Sequence, residues 1–491
     1  MKKPGLRQTL SVFIYFFFLC AALYAQADDE KSSREYNPRE QKLIVDIPLT
    51  VGEVMLINLT GNLYWRLLGP DSEVAYFTAN SIRRNLNPKT WSIEEGQGGD
   101  TFLTNQFIHP YAGGLYFASA RSNNINFYWS ILSSVFGSIT WEVLGEADSP
   151  SSSDLVNTGF GGIVIGEIMH RLFIEVDKKG TAGRIGSFFI SPTDRITAAI
   201  RGYGPENSPS KINEFSLAFG FSWINAMFFD DDEKVISWNT PAAFVNVDLV
   251  YGDPFTAHCK TPFDQFDMNT SITAAFPYIH NFTFIADGYL ASWLLADDDK
   301  DQASNGLSLH FDDYITDKGL IELNNGRENL SFNANSLDYS VKWRRMGSIF
   351  NNPYALSFKS HLGFTPWAVT DYNGGIYRDD YNLYLFGGNI KLFLELRQMN
   401  GESVMKNGKN LSLSLCFYDT WNIPNTPGFH VNTLFFFSKL AYSFPITEKL
   451  SFYAADTFML LYCRLTYDAG RDFPDITRRY NSAHLGIKIS Y

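Results

Sequence analysis

Apolar residues alternate with small or polar residues along the chain from about Lys211 to its end. Successive side chains of a strand point to opposite faces, so each run has one apolar face and one small or polar face. Five of the clearest runs lie at 217–223, 245–249, 307–311, 354–362 and 411–417. About twelve such segments occur, which predicts a transmembrane antiparallel β-barrel of about 12 strands with a polar lumen.

The spacing of these runs also favours a barrel. The polar turn at 444–448 is short, whereas the polar segments at 366–379 and 466–479 are long. Membrane barrels alternate short turns at one rim with long loops at the other. A soluble β-sandwich is the alternative fold, but it would need neither an export signal nor so many aromatic strands.

The last strand carries a separate signal. Its apolar row consists of Ala483, Leu485, Ile487, Ile489 and Tyr491. This row resembles the carboxy-terminal signal of outer-membrane barrels, in which an aromatic residue ends the chain. The resemblance implies that Ile487, Ile489 and Tyr491 are read by the barrel-assembly machinery.

The region before the barrel has no period-two alternation and is predicted to be mainly helical, over residues 42–210. Long apolar runs occupy 105–146 and 154–176, and Pro150 with the serines 151–153 offers helix-capping groups before the second run. Charged and histidine side chains interrupt both runs, so neither is a clean membrane span. We expect a helical domain that lies in the periplasm or plugs the lumen.

The amino terminus has the pattern of a secretory signal. Lys2, Lys3 and Arg7 precede an apolar stretch at 10–23, and Ala25 and Ala27 offer a small-x-small cleavage site. We therefore expect a signal peptide at 1–27, a flexible lead at 28–41, the helical domain at 42–210 and the barrel at 211–491. The predicted location is the bacterial outer membrane, with its lipid as a partner.

Charge and composition narrow the class further. Loss of the three positive charges of the signal takes the formal net charge from −12 to −15, so the chain has no electrostatic footprint for nucleic acid. Aromatic residues make up 16% of the sequence, yet the mean hydropathy is only −0.13. Aromatic girdles combined with a polar lumen give this mixture.

A resemblance to a known family covers most of the mature chain. It rests on His109-Pro110-Tyr111, Trp141-Glu142, Gly145-Glu146, Gly166-Glu167 and the later segment 251–255. These motifs resemble a family of uncharacterised bacterial envelope proteins, a domain of unknown function in which a helical block precedes a barrel. The chain departs from the family at 92–99, where a tighter acidic pattern is expected. The resemblance implies architecture and assigns no activity.

The helical block offers candidate acid and base groups. The catalytic candidates are His109, Glu142, Asp154, Glu167 and His170. A histidine paired with a carboxylate can serve as a general base, and Ser119, Ser122 or Ser138 can serve as a nucleophile. No local motif selects among these serines. This pattern supports an envelope lipid-modifying hydrolase as the alternative function.

The same block contains half of a metal motif. Glu167 and His170 lie three residues apart, as in the di-metal sites of helix bundles, but the second Glu-x-x-His that such sites need is missing. The three cysteines after the signal, Cys259, Cys416 and Cys463, have no zinc spacing. We therefore expect no metal and no cofactor.

A structural interpretation of the charged residues is favoured over catalysis. Charges inside apolar helical runs need partners, because burying an unpaired charge is costly. We expect a packed polar network of Arg121, Glu142, Glu146, Glu167 and Arg171, in which Arg121 pairs with Glu142 or Glu146. The predicted function is then a structural or transport role in the cell envelope, and an enzyme is the less favoured alternative.

Overall fold

The structure is a computed structural model that describes residues 46–68, 75–91, 104–204, 209–229, 236–255, 258–275, 278–316, 330–349, 351–372, 381–400, 403–405, 407–422, 429–467 and 475–491. The expected signal peptide at 1–27 and the lead at 28–41 lie outside the described residues. The chain divides into two compact units, and the division near the barrel falls between Ser210 and Lys211. The first unit is helical and the second consists of strands.

The helical unit contains seven described α-helices and, before the third, one turn of π-helix at Thr104–Ile108. The helices are α1 (Ile47–Leu68), α2 (Ala79–Asn85), α3 (His109–Ser122), α4 (Phe127–Leu144), α5 (Ser152–Asp177), α6 (Gly180–Ile190) and α7 (Pro192–Arg201). A short 3₁₀ turn occupies Pro88–Thr90. None of the described helices has both the length and the apolar character needed to cross a membrane.

Helix starts follow local side-chain chemistry in two places. The Ser151 hydroxyl accepts a hydrogen bond from the Asp154 backbone N–H and so caps α5 at the predicted position. Asn126 caps α4 in the same way through the Trp129 N–H. Pro110 lies in the first turn of α3, where its missing N–H costs no helical hydrogen bond. Ile108 is already helical in its backbone angles, and α3 continues directly from the π-helical turn.

Helices α3 and α5 approach each other closely through glycines. A Cβ atom built on Gly113 would overlap the Thr158 carbonyl oxygen, and one on Gly162 would lie 2.5 Å from the Gly113 carbonyl carbon. Gly166 has a similar contact, because its Cβ would lie 2.7 Å from the Phe117 Cβ. The backbones can meet at this distance only because these positions lack side chains.

The second unit begins at Ile212 and contains thirteen described strands. They are β1 (Ile212–Phe229), β2 (Ile236–Tyr251), β3 (Phe266–Ala275), β4 (Tyr278–Asp297), β5 (Asp301–Thr316), β6 (Leu330–Ile349), β7 (Asn352–Tyr372), β8 (Tyr381–Asn400), β9 (Ser403–Val404), β10 (Asn410–Asn422), β11 (Phe429–Pro445), β12 (Leu450–Tyr467) and β13 (Ile476–Ser490).

These strands form one closed antiparallel barrel. β13 pairs with β1, and β8 pairs with β10, so the two-residue β9 stands outside a ring of 12 strands. The prediction of an antiparallel barrel of about 12 strands preceded by helices is confirmed. A two-sheet sandwich, the alternative, is excluded because the described strands close into a single ring.

Side chains alternate between the two faces of the ring. In β1, Phe221 and Trp223 point outward and are 50% and 49% exposed, while Ser222 and Ile224 point inward and are fully buried. The outer surface therefore carries the apolar row that the sequence predicted for lipid contact.

Two of the loops are shorter in the structure than the sequence predicted. β7 continues to Tyr372, well into the segment 366–379, and β12 and β13 reach into 466–479 from both sides. Strands of membrane barrels extend beyond the apolar belt, and their ends there carry polar residues. Polarity alone therefore marks the end of the belt and not the end of the strand.

The lumen toward the rim where β1 ends is filled by an aromatic cluster. It contains Tyr314, Phe332, Tyr418, Phe435 and Tyr480, which come from five strands spread around the ring and are all fully buried. Phe332 and Phe435 stack with ring centroids 4.5 Å apart. Because these strands are not all neighbours, the rings meet across the interior of the barrel.

Candidate functional site

Three of the predicted polar residues of the helical unit form an ion-paired group. Glu167 on α5 is fully buried, and its carboxylate accepts from Arg121 Nε at 2.7 Å and from Arg171 Nε at 2.8 Å. Arg121 also donates to the Ile125 carbonyl oxygen at 2.8 Å. One carboxylate thus joins two guanidinium groups and ties α3 to α5.

His170 lies in a different pair. Its Nδ1 is 2.6 Å from Asp194 Oδ1, and Asp194 also accepts from the Ser191 hydroxyl at the start of α7. This arrangement orients the imidazole by a carboxylate, but the partner is a residue of α7 and not one of the other candidates.

Glu142 has surroundings that the sequence did not predict. It is fully buried on α4, and one oxygen accepts from the Ser151 backbone N–H at 2.9 Å. Burial raises the pKa of Glu142 well above its usual value, and the nearby carboxylates of Glu146 and Asp154 raise it further. Its other oxygen has no hydrogen-bond partner among the described residues.

The expected pairing of Arg121 with Glu142 or Glu146 is wrong. Among the described residues, Arg121 makes its ion pair with Glu167, and Glu146, which follows the end of α4, accepts from the Trp141 indole at 3.1 Å. Because α4 ends at Leu144, the i, i+4 helical spacing assumed for Glu142 and Glu146 does not apply, and the sequence could not show that acidic Asp154 would lie near Glu142.

The five catalytic candidates therefore do not converge. His109 Nε2 lies 3.8 Å from Asp154 Oδ2, and Glu142 is close to the same carboxylate, while Glu167 and His170 belong to the two other groups. Ser119 donates to Glu53 at 2.6 Å, and Ser122 donates to Thr197 at 2.9 Å. No nucleophile–base hydrogen bond joins these serines to His109 within the described part of the chain.

Sequence reasoning missed Glu53 on α1. Its buried carboxylate accepts from Ser119 at 2.6 Å, from Asn123 at 2.8 Å and from Thr197 at 2.6 Å, so it connects α1, α3 and α7. Burial raises the pKa of Glu53, and these three donors lower it in part. The signal available in the sequence was a single acidic residue inside the apolar stretch of α1.

The barrel lumen contains a second and larger set of charges. Lys391 on β8 is fully buried, and its Nζ lies 2.6 Å from Asp312 Oδ2 on β5 and 3.6 Å from Asp338 Oδ2 on β6. Asp312 also accepts from the Tyr418 hydroxyl of β10, and Asp338 from Asn389 Nδ2 at 3.1 Å. All of these side chains come from inward positions of the strands.

A second lysine extends the same network. Lys342 Nζ on β6 donates to Asp267 of β3 at 2.7 Å and to Asp287 of β4 at 3.0 Å. Lys359 of β7 donates to Asp267 as well, at 2.8 Å. The network thus crosses the interior between strands that are not neighbours in the ring.

Two histidines lie inside this network. His310 Nε2 is 2.9 Å from the Ser308 hydroxyl and 3.3 Å from Asp338 Oδ2, and His361 Nδ1 is 2.6 Å from the Ser340 hydroxyl. The two imidazole centroids are 4.7 Å apart. The sequence placed both histidines on polar strand faces, but it gave no strand register and so could not bring them together.

Other bridges span the lumen more widely. Arg397 of β8 donates to Glu214 of β1 at 2.6 Å, although β1 and β8 are five strands apart by the shorter path around the ring. Lys439 of β11 donates to Asn246 of β2 at 2.5 Å, across four strands. Side chains of the barrel itself therefore connect opposite sides of the lumen at several levels.

A comparison with known families finds a match in the helical block. Residues 97–193 match a family described as a domain of unknown function (DUF3943). The match includes all five catalytic candidates and ends before the barrel. An uncharacterised domain followed by a barrel is confirmed for this segment, whereas the expected extent over most of the mature chain, including 251–255, lies outside the match. Curated proteins include no match to this chain.

Solved structures share only a general likeness with the barrel. The toluene transporter TodX of Pseudomonas putida is 8% identical over 58% of this chain and 90% of its own, with a TM-score of 0.22. The outer-membrane protease OmpT of Escherichia coli is 5% identical over 58% of this chain and 99% of its own, with a TM-score of 0.18. An outer-membrane channel of Pseudomonas putida F1 is 10% identical over 58% of this chain and 97% of its own, with a TM-score of 0.24. Likeness at this level decides nothing about activity.

Proposed function

We propose that this chain is an outer-membrane barrel that passes small hydrophilic solutes through a gated lumen. The carrying observation is the set of ionic bridges that cross the interior, above all the pair of Arg397 and Glu214. In the closed state these bridges and the aromatic cluster block the lumen, and it opens when the paired side chains separate and the rings move aside.

The apolar outer surface of the barrel supports its insertion into a membrane. Outward residues on neighbouring strands are large, apolar and exposed, as Phe219, Leu485, Phe417 and Leu440 illustrate. Exposure of such a continuous apolar belt to water is unfavourable, whereas contact with lipid tails is favourable. Export by cleavage of the signal peptide and insertion by the barrel-assembly machinery belong to the same proposal.

The chemistry of the lumen supports passage of solutes over a purely structural role. Buried ion pairs stabilise a fold less than apolar side chains of similar size would, because both charges must first lose their water. A barrel that served only as an anchor would gain stability from an apolar filling. The fully buried Lys391 and Asp312 therefore favour a function that needs charge in the interior.

The helical unit is assigned a supporting role. Glu167 pairs with arginines, Glu142 accepts from a backbone N–H, and His109 and His170 lie beside two different aspartates. The candidates therefore do not form one site, which does not favour the hydrolase alternative.

Conductance in planar bilayers tests the gate. The double variant Glu214→Gln/Arg397→Gln removes both charges of one cross-lumen bridge; glutamine matches glutamate in size and is shorter than arginine. If the bridge contributes about 1.4 kcal/mol to the closed state, the ratio of open to closed channels rises about tenfold. The matched control is Arg345→Gln, an exposed arginine at the rim.

The control should conduct like the wild type. If the wild type and the double variant are both folded, as judged by heat-modifiable migration, and neither conducts, that result would contradict a transport role and leave a structural one. A double variant with unchanged open probability would contradict the gate.

A further inference from the structure

Three side chains of the lumen converge on one point. One ligand atom each from Asp287 on β4, His310 on β5 and His361 on β7 lies within 4.8 Å of the others. Asp287 and His310 are direct register partners on adjacent strands, which fixes their spacing through the backbone. All three residues are buried.

The orientation of His361 leaves one of its nitrogens without a partner. Nδ1 is 2.6 Å from the Ser340 hydroxyl, while Nε2 is buried and has no hydrogen-bond partner among the described residues. A buried polar atom without a partner carries a desolvation cost that no contact offsets. Such a cost is expected at a functional position, where a ligand supplies the missing contact.

The orientation of His310 has the form found around metal ligands. Its Nε2 faces the Ser308 hydroxyl at 2.9 Å and the Asp338 carboxylate at 3.3 Å. A carboxylate behind an imidazole fixes the ring and raises its basicity, and it leaves the opposite nitrogen to bind a metal. In His310 that opposite nitrogen is Nδ1.

Two lysines oppose a cation here, and Lys342 already donates to Asp287 at 3.0 Å, but carboxylates outnumber the ammonium groups of the network. The nearby ammonium groups of Lys342 and Lys391 are each held by two carboxylates. With Lys359 the network has three ammonium groups against the four carboxylates of Asp267, Asp287, Asp312 and Asp338, so its formal charge is negative. A divalent cation between the imidazoles and Asp287 more than offsets this single negative charge.

We propose that Asp287, His310 and His361 bind a divalent transition-metal cation such as Zn²⁺ or Co²⁺ in the barrel lumen. Two imidazoles and one carboxylate are ligands that suit these ions, whereas Ca²⁺ and Mg²⁺ prefer sites made of oxygen atoms alone. Three protein ligands leave a coordination position for water or for a solute. Binding here does not require that the barrel conduct.

Titration with Co²⁺ tests the site on the full chain, purified from outer membranes in detergent and stripped with a chelator. The wild type should bind one Co²⁺ with visible absorption, and Zn²⁺ should displace it. His361→Gln and Asp287→Asn should each weaken binding at least tenfold. The matched control is His484→Gln, the same change at another buried luminal histidine, which should bind like the wild type.

Two results would overturn the site. One is a folded wild type with no saturable binding of Co²⁺ or Zn²⁺, and the other is a folded His361→Gln variant that binds equally well. If a variant fails to show heat-modifiable migration, X-ray absorption of the Zn²⁺-loaded wild type decides. Imidazole scattering is expected, and its absence would contradict the site.

Discussion

Tyr491, the last residue of the chain, exchanges two backbone hydrogen bonds with Phe215 at the start of β1. The Tyr491 N–H donates to the Phe215 carbonyl oxygen at 2.9 Å, and the Phe215 N–H donates to the Tyr491 carbonyl oxygen at 3.4 Å. Their rings lie with centroids 6.1 Å apart. The carboxy-terminal residue therefore takes part in the seam between β13 and β1 that closes the barrel.

Deletion of Ile489–Tyr491 should lower the yield of inserted barrel. It removes the last bonds of the closing seam and the aromatic end that resembles the assembly signal. The measurement is the heat-modifiable fraction in the outer-membrane pellet. Tyr491→Phe keeps the ring and the backbone bonds and should assemble normally, whereas an unchanged yield in the deletion would contradict the role of this end.

The period-two pattern predicted the barrel because lipid contact imposes it on every strand. Phe221 and Ser222 differ in exposure as their alternation required. The contacts within the lumen could not be predicted in this way. Arg397 and Glu214 are far apart in the sequence, and only strand order and register place them opposite each other. Alternation states which face a residue occupies and not which residue it meets there.

Leu413→Arg should destabilise the barrel more than Ser412→Arg. These neighbours on β10 point to opposite faces, and an arginine facing lipid near the bilayer midplane costs about 2–4 kcal/mol. The measurement is the urea midpoint of unfolding in lipid vesicles. Equal shifts for the two variants would mean that the faces of β10 are misassigned.

Gly113→Ala should destabilise the helical unit, although alanine is the better helix former. The new Cβ would overlap the Thr158 carbonyl oxygen and force α3 away from α5. Gly159→Ala is the matched control, since nothing lies within 4 Å of its Cβ, and it should be neutral or stabilise by about 0.5–1 kcal/mol. Limited proteolysis within 104–171 of the full chain measures both. Similar cleavage rates for both variants would contradict the close approach.

Glu167→Gln should loosen the same helices. The fully buried carboxylate is shared by Arg121 and Arg171, and its neutralisation removes the charge that pairs with both guanidinium groups. Loss of one partner of a buried ion pair costs about 3–5 kcal/mol. Cleavage between 104 and 171 should become faster at pH 7, and wild-type resistance in this variant would contradict a structural role for the pair.

Glu142→Gln should have the opposite effect, because Glu142 has no described cationic partner. Burial, with Glu146 and Asp154 nearby, raises the pKa of Glu142 in the folded chain above the usual 4.5. The folded state thus holds a proton that the unfolded state releases above that pH. The stability that Glu142 contributes is present below about pH 4.5 and is lost as pH rises toward the folded pKa, at up to about 1.4 kcal/mol per pH unit.

Glutamine resembles the protonated acid in shape and does not titrate. The variant should resist proteolysis within 104–171 like the wild type at pH 4 and better than the wild type at pH 7. Faster cleavage of Glu142→Gln at pH 7 would mean that an ionised carboxylate is required there and would favour a catalytic or ion-pairing role for Glu142.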